Sequence, residues 1–133
     1  MAQVIAALKG LRVLVVEDEL VIAMELESLL EGLGCIVLDP APSIRRALHV
    51  LSGERPDAAV LDVNLQGQQV TPVAEALQQQ DVPFVLVTGY GIERLHDEAL
   101  QSAEYVRKPV DEPRLMAALF RALMRDERSA PAH

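Results

Sequence analysis

The chain has 133 residues, with 20 Asp and Glu against 12 Lys and Arg, a formal net charge of -8 and an aromatic content of 3%. That length suits one domain of the usual ~100–150 residues and leaves no room for an attached effector or DNA-reading module, so any output is expected on another chain. The acidic balance, with Phe84, Tyr90, Tyr105 and Phe120 as the whole aromatic inventory, argues against a protein that tracks nucleic-acid phosphates or stacks on bases.

In chain order, residues 1–10 (MAQVIAALKG) read as an N-terminal extension without the basic start and long apolar stretch of an export signal. The domain proper is expected over 11–125. LRVLVV (11–16) is the first of five short apolar runs, followed by CIVL (35–38), AAVL (58–61), FVLV (84–87) and the weaker YVR (105–107). Each is too short for a helix and continuous rather than alternating, as in strands buried on both faces of a parallel sheet. The second run opens on Cys35, the single cysteine, which excludes an internal disulfide or a multi-thiolate metal site. It is expected to pack as a small hydrophobe in a reducing cytoplasm. No apolar run reaches the ~20 residues of a bilayer span, so no membrane insertion is expected.

Helical periodicity fills the intervals. Ile22, Leu26, Leu29, Leu30 and Leu33 form one stripe, ended by Gly32 and Gly34. Ser43 reads as the N-cap of a second stripe of Ile44, Ala47, Leu48 and Leu51. Thr71 and Pro72 read as N-cap and first helical position ahead of Val73, Ala74 and Leu77. Residues 92–101 make the weakest helix, with Leu95, Ala99 and Leu100 set among charged side chains and His96. Asp111, Glu112 and Pro113 open the clearest one, carrying Leu115, Ala118, Leu119, Ala122 and Leu123 on one face. Met24, Met116 and Met124 read as core filler, and residues 126–133 as a frayed tail. Strands alternating with helical crossovers predict a doubly wound α/β parallel sheet.

Polar residues fall at the carboxyl ends of these runs: Glu17 and Asp18 after the first, Asp62 after the third, Thr88 after the fourth and Lys108 after the fifth. Taken singly, Asp18 reads equally well as a helix cap and Asp62 as a turn former with Asn64. Jointly they converge on the sheet edge where open α/β folds bind ligands. Three neighbouring carboxylates repel one another unless a cation joins them, and an all-oxygen set suits magnesium. A carboxylate beside a divalent ion, an ammonium and a hydroxyl is equipped to attack phosphorus. Asp62, ending the central strand, is best placed as that acceptor.

VLVVEDE (13–19), AVLDVNL (59–65), VLVTGY (85–90) and YVRKP (105–109), in this order and spacing, resemble the response-regulator receiver domain of bacterial two-component systems. The resemblance covers roughly residues 11–124. It implies a (βα)5 flavodoxin-like fold with strand order 2-1-3-4-5. It implies Asp62 as phosphoacceptor from a histidine kinase, and Mg2+, with Mn2+ as a substitute, held by Asp18, Asp62, the Asn64 backbone carbonyl and, through water, Glu17. Lys108, before Pro109 in a cis peptide, would pair with the phosphate, Thr88 would donate to it, and Tyr105 would be the switch aromatic. Phosphorylation would then remodel the face made by the fourth helix, fifth strand and fifth helix of that fold.

The loop VNLQGQQVTP departs from the Met-Pro pair of many receivers, and PFVLVTGY (83–90) partly resembles a subset with a Phe-Ala-Thr-Gly-Tyr motif often paired with HWE-type kinases, with Val87 in the alanine place. The expected role is a stand-alone receiver, not an enzyme beyond its own phosphoryl acceptance and loss. Its partners would be a sensor kinase or phosphotransfer protein upstream and a protein effector downstream, with a homodimer through the switch face as another arrangement. A phosphate sink or relay shuttle is the alternative within the class. A magnesium-dependent phosphohydrolase is the alternative outside it, weakened because Asn64 stands where a general acid is wanted.

Overall fold

The apolar runs pair into one parallel sheet. In the computed structural model, which describes residues 2–89 and 97–129, the sheet strands are β1 (Arg12–Val16), β2 (Ile36–Val37), β3 (Ala58–Asp62), β6 (Phe84–Thr88) and β7 (Glu104–Arg107). Their order is β2-β1-β3-β6-β7, which is the expected 2-1-3-4-5 arrangement once a separate hairpin, β4 (Asn64–Leu65) with β5 (Gln68–Gln69), is set aside. Six helices complete the described chain: α1 (Ala2–Leu8), α2 (Leu20–Gly32), α3 (Ile44–Gly53), α4 (Thr71–Gln79), α5 (Glu98–Gln101) and α6 (Glu112–Ser129).

The continuous runs supply two cores because successive strand residues point to opposite faces. Leu14, Val16, Ala59, Leu61 and Leu86 pack with Ala47, Leu51, Val73, Leu77 and Leu100 of the helices α3, α4 and α5. Val13, Val15, Val60, Val85 and Val87 pack with Leu26 and Leu30 of α2 and with Leu115, Ala118 and Leu119 of α6. Cys35 is buried in this second core, and desolvation pushes its thiol up to about 11. Burial of both sheet faces leaves only the strand ends for polar chemistry.

Several local readings are corrected. Residues 2–8 are helical, and Leu8 is fully buried in the second core, so the N-terminal extension is part of the packing. The helix starting at Thr71 is preceded by Val70 as its cap, and the Thr71 hydroxyl donates instead to Asp97 Oδ2. Met24 and Leu48 face solvent rather than the core. Ser43 does cap α3, accepting from Arg46 N at 3.1 Å. Helix α6 continues past 125 to Ser129. Within the weak fourth helix only α5 is described; residues 90–96, with Tyr90 and Leu95, lie outside the described residues.

Candidate functional site at the carboxyl edge of the sheet

Strand register brings the candidate residues together. Val16 of β1 lies beside Leu61 of β3, and Asp62 beside Val87 of β6, so Glu17, Asp62 and Thr88 leave three adjacent strands at nearly one level. All three are buried, at 2%, 5% and 2% exposure, and burial of the two carboxylates is uncommon without compensation. Lys108 follows β7, its backbone N–H donating to the Thr88 carbonyl at 2.8 Å. The Lys108–Pro109 peptide is cis.

Oxygen atoms of Glu17, Asp18 and Asp62 all lie within 4.8 Å of one another. Each carboxylate accepts one main-chain N–H: Glu17 Oε2 from Glu19 at 3.1 Å, Asp62 Oδ1 from Asn64 at 3.2 Å, and Asp18 Oδ2 from Gln66 at 3.1 Å. The Lys108 ammonium sits 3.5 Å from Asp62 Oδ2 and 3.9 Å from Glu17 Oε1. That single cation does not balance three acids. Burial, reinforced by the charge of Asp62, pushes the Glu17 carboxyl up from 4.5 to about 8. Glu17 Oε1 is buried without a hydrogen-bond partner among the described residues. A buried carboxylate oxygen with no hydrogen bond and only the 3.9 Å approach of Lys108, in an oxygen-only acidic cluster, fits a hard divalent cation such as Mg2+.

Beside this cluster opens a cavity of about 210 Å³ lined by Glu19, Asp62, Val63, Asn64, Thr88, Gly89 and Lys108. Acceptor, hydroxyl and ammonium thus border one small polar space. Tyr105 stands apart from it. It is 36% exposed and lines a groove with Arg107, Arg114 and Arg121 between β7 and α6. The sequence reading missed Gln66, whose main-chain N–H reaches Asp18. The signal was the Gln66-Gly67 pair, a two-residue connection between residues that pair as strands.

A five-stranded parallel sheet with an acidic pocket at its carboxyl edge defines a receiver-type α/β domain. The sequence matches the response regulator receiver domain over residues 13–120, and the chain belongs to that family. Among curated relatives it is similar to the phyllosphere-induced regulator PhyR of Methylorubrum extorquens, 31% identical over 122 residues, covering 90% of this chain and 46% of the relative. The chain therefore spans about half the length of that relative. Among solved structures, SdrG from Sphingomonas melonis Fr1 is 39% identical with a TM-score of 0.74, covering 86% of this chain and 97% of that one. The receiver domain of Erythrobacter litoralis PhyR is 30% identical with a TM-score of 0.77, covering 96% and 98%. No helix among the described residues is long and apolar enough to cross a membrane.

Proposed function

We propose that this receiver is a phosphorylation-dependent binding module whose acceptor is Asp62. The observation that carries the reading is the buried Asp62 carboxylate, 3.5 Å from the Lys108 ammonium and within 4.8 Å of two further acids, bordering an open cavity. An Asp62 oxygen attacks the phosphorus of a phosphohistidine, the new O–P bond forms as the N–P bond breaks, and the imidazole departs. Lys108 neutralises phosphoryl oxygens and Thr88 donates its hydroxyl to one of them. Asp18, Asp62, the Asn64 carbonyl and, through water, Glu17 would hold Mg2+ or Mn2+, which supplies positive charge to the transferring group. Turnover is confined to acceptance and loss of the protein's own phosphoryl group.

The product carries ~1.5–2 added negative charges and three acceptor oxygens, so a phosphoryl oxygen is offered to the Thr88 hydroxyl in one state only. Thr88 is continuous with β6, and β6 pairs Leu86 with Tyr105 of β7. Its movement is thereby passed to the face of α5, β7 and α6, the surface offered to a downstream protein or to a second copy of the chain. Upstream stands a histidine kinase, of the HWE type by the partial motif at 83–90, or a phosphotransfer protein; sink and shuttle roles use the same chemistry. The receiver unit is assigned to 11–125, with α1 packed against it and α6 running on to Ser129, and its setting to the cytoplasm.

Incubation with a small phosphodonor and Mg2+, followed by intact-mass measurement, tests the acceptor. The unsubstituted chain should gain one phosphoryl group and Asp62→Asn none. Full labelling of Asp62→Asn would refute the assignment, and turnover of a phosphomonoester would favour a phosphohydrolase.

A further inference from the structure

Carboxyl oxygens of Glu17, Asp18 and Asp62 lie within 4.8 Å of one another with the Lys108 ammonium as the one cation beside them among the described residues, a crowding that the fold must hold in place. Two of the holding contacts are local. Glu17 and Asp62 each accept from the N–H two residues further along their own chain segment. Asp18 has a different anchor: the N–H of Gln66, 48 residues away, in the turn of the β4–β5 hairpin.

The hairpin is built to present that N–H. Gln66 and Gly67 have φ of 51° and 84°, the paired positive values of a two-residue turn whose twist matches its strands. A left-handed backbone is unfavourable for a residue with a Cβ, so the turn is held by its surroundings rather than by Gln66 itself. Asn64 pairs with Gln69 and Leu65 with Gln68, Val70 N–H closes the base on the Val63 carbonyl at 2.8 Å, and Leu65 is 1% exposed. The same unit also carries Asn64, whose N–H fixes Asp62. One short hairpin thus reaches two of the three acids by main-chain donors, which neither accept a proton nor compete as a charged side chain would.

We infer that the β4–β5 hairpin is a positioning clamp for the cation site, and that the Gln66 N–H presets Asp18 for metal. The inference rests on reading the acidic pocket as a Mg2+ site. The Gln66 side chain is immaterial; its backbone N–H and its left-handed conformation matter. Metal-holding groups lose affinity of about tenfold or more when such an outer partner is removed.

Calorimetric titration with Mg2+ tests this on the unphosphorylated chain. Gln66→Pro removes the donor and is incompatible with a φ of 51°, and should weaken Mg2+ binding about tenfold. Gln66→Gly keeps the N–H and should bind within about twofold of the unsubstituted chain. A folded Gln66→Pro that binds as tightly as the unsubstituted chain overturns the clamp. Should Gln66→Pro not fold, the Gln66 amide resonance of the unsubstituted chain decides. A saturable shift with Mg2+, in step with Asn64, supports the clamp, and an unmoved Gln66 overturns it. An unsubstituted chain without saturable Mg2+ binding overturns the reading of the pocket itself.

Discussion

On the β1 and β3 side of the pocket Glu17, Asp18 and Asp62 each accept a main-chain N–H, whereas on the β6 and β7 side Lys108 reaches the acids only through its side chain, at 3.5 and 3.9 Å. The first side rests on central strands paired on both edges and on a hairpin pinned by the buried Leu65. The second ends in β7, which among the described residues pairs with β6 alone, beside α5, whose one buried residue among them is Leu100. Fixed main-chain donors hold a charge cluster in one geometry; a long, partly exposed side chain following an edge strand adjusts more cheaply. Under the proposed function, metal binding and response fall to different halves of one pocket.

Removing Lys108 separates the halves most sharply. Lys108→Ala should slow phosphoryl acceptance from a small phosphodonor about a hundredfold, the scale of losing a charge-stabilising donor. It should leave Mg2+ binding intact or tighter, because a competing cation leaves the cluster. Stopped-flow acceptance and calorimetry on one preparation read both, and a matching loss of Mg2+ affinity would deny the division.

Glu17 gives a pH signature on the fixed half. Its folded value, about 8, lies above the ordinary 4.5, so the folded chain holds this proton more tightly than the unfolded one. Below about 4.5 both states are protonated and there is no penalty; as pH rises toward about 8 the metal-free fold loses stability. The slope is at most about 1.4 kcal/mol per pH unit for one group. Thermal melts of Glu17→Gln should lack this slope. A divalent ion favours the ionised carboxylate, so Mg2+ affinity should climb over the same window with proton release, measurable in buffers of different ionisation enthalpy.

Smaller effects are expected on the responsive half. Thr88→Val should alter acceptance less than Lys108→Ala, since it removes one neutral donor rather than a charge. It should abolish any phosphorylation-dependent change at Tyr105, read by amide shifts. Tyr105→Ala, at an exposed position, should change stability by no more than about 0.5 kcal/mol. A larger loss on melting would show that Tyr105 is a packing residue.

The strands were legible in the sequence because burial on both faces leaves a continuous apolar run, and the site was legible because polar residues interrupt those runs at one end. Periodicity found the stripes of α2 and α6 but did not find α1, since Ala2–Leu8 offers only two turns and a single buried residue, Leu8. Met24 read as core by its helical context, yet it lies with Leu20 and Val21 on the exposed side of α2; apolar character alone does not set which face packs. The Gln66-Gly67 turn was hidden for a related reason. Its two-residue strands bury only Leu65, too little to produce alternation, and its main effect is a main-chain contact that side-chain chemistry does not announce.

Amide spectra recorded without metal, with Mg2+, and with Mg2+ and beryllofluoride separate the two halves of the pocket. Mg2+ alone should move residues of the fixed half, around Asp18, Asn64 and Gln66. Beryllofluoride should then extend the changes through Thr88 to Tyr105, and Asp62→Asn should show no beryllofluoride response. A beryllofluoride response that persists in Asp62→Asn, or one that never reaches β7, would contradict this reading of the pocket.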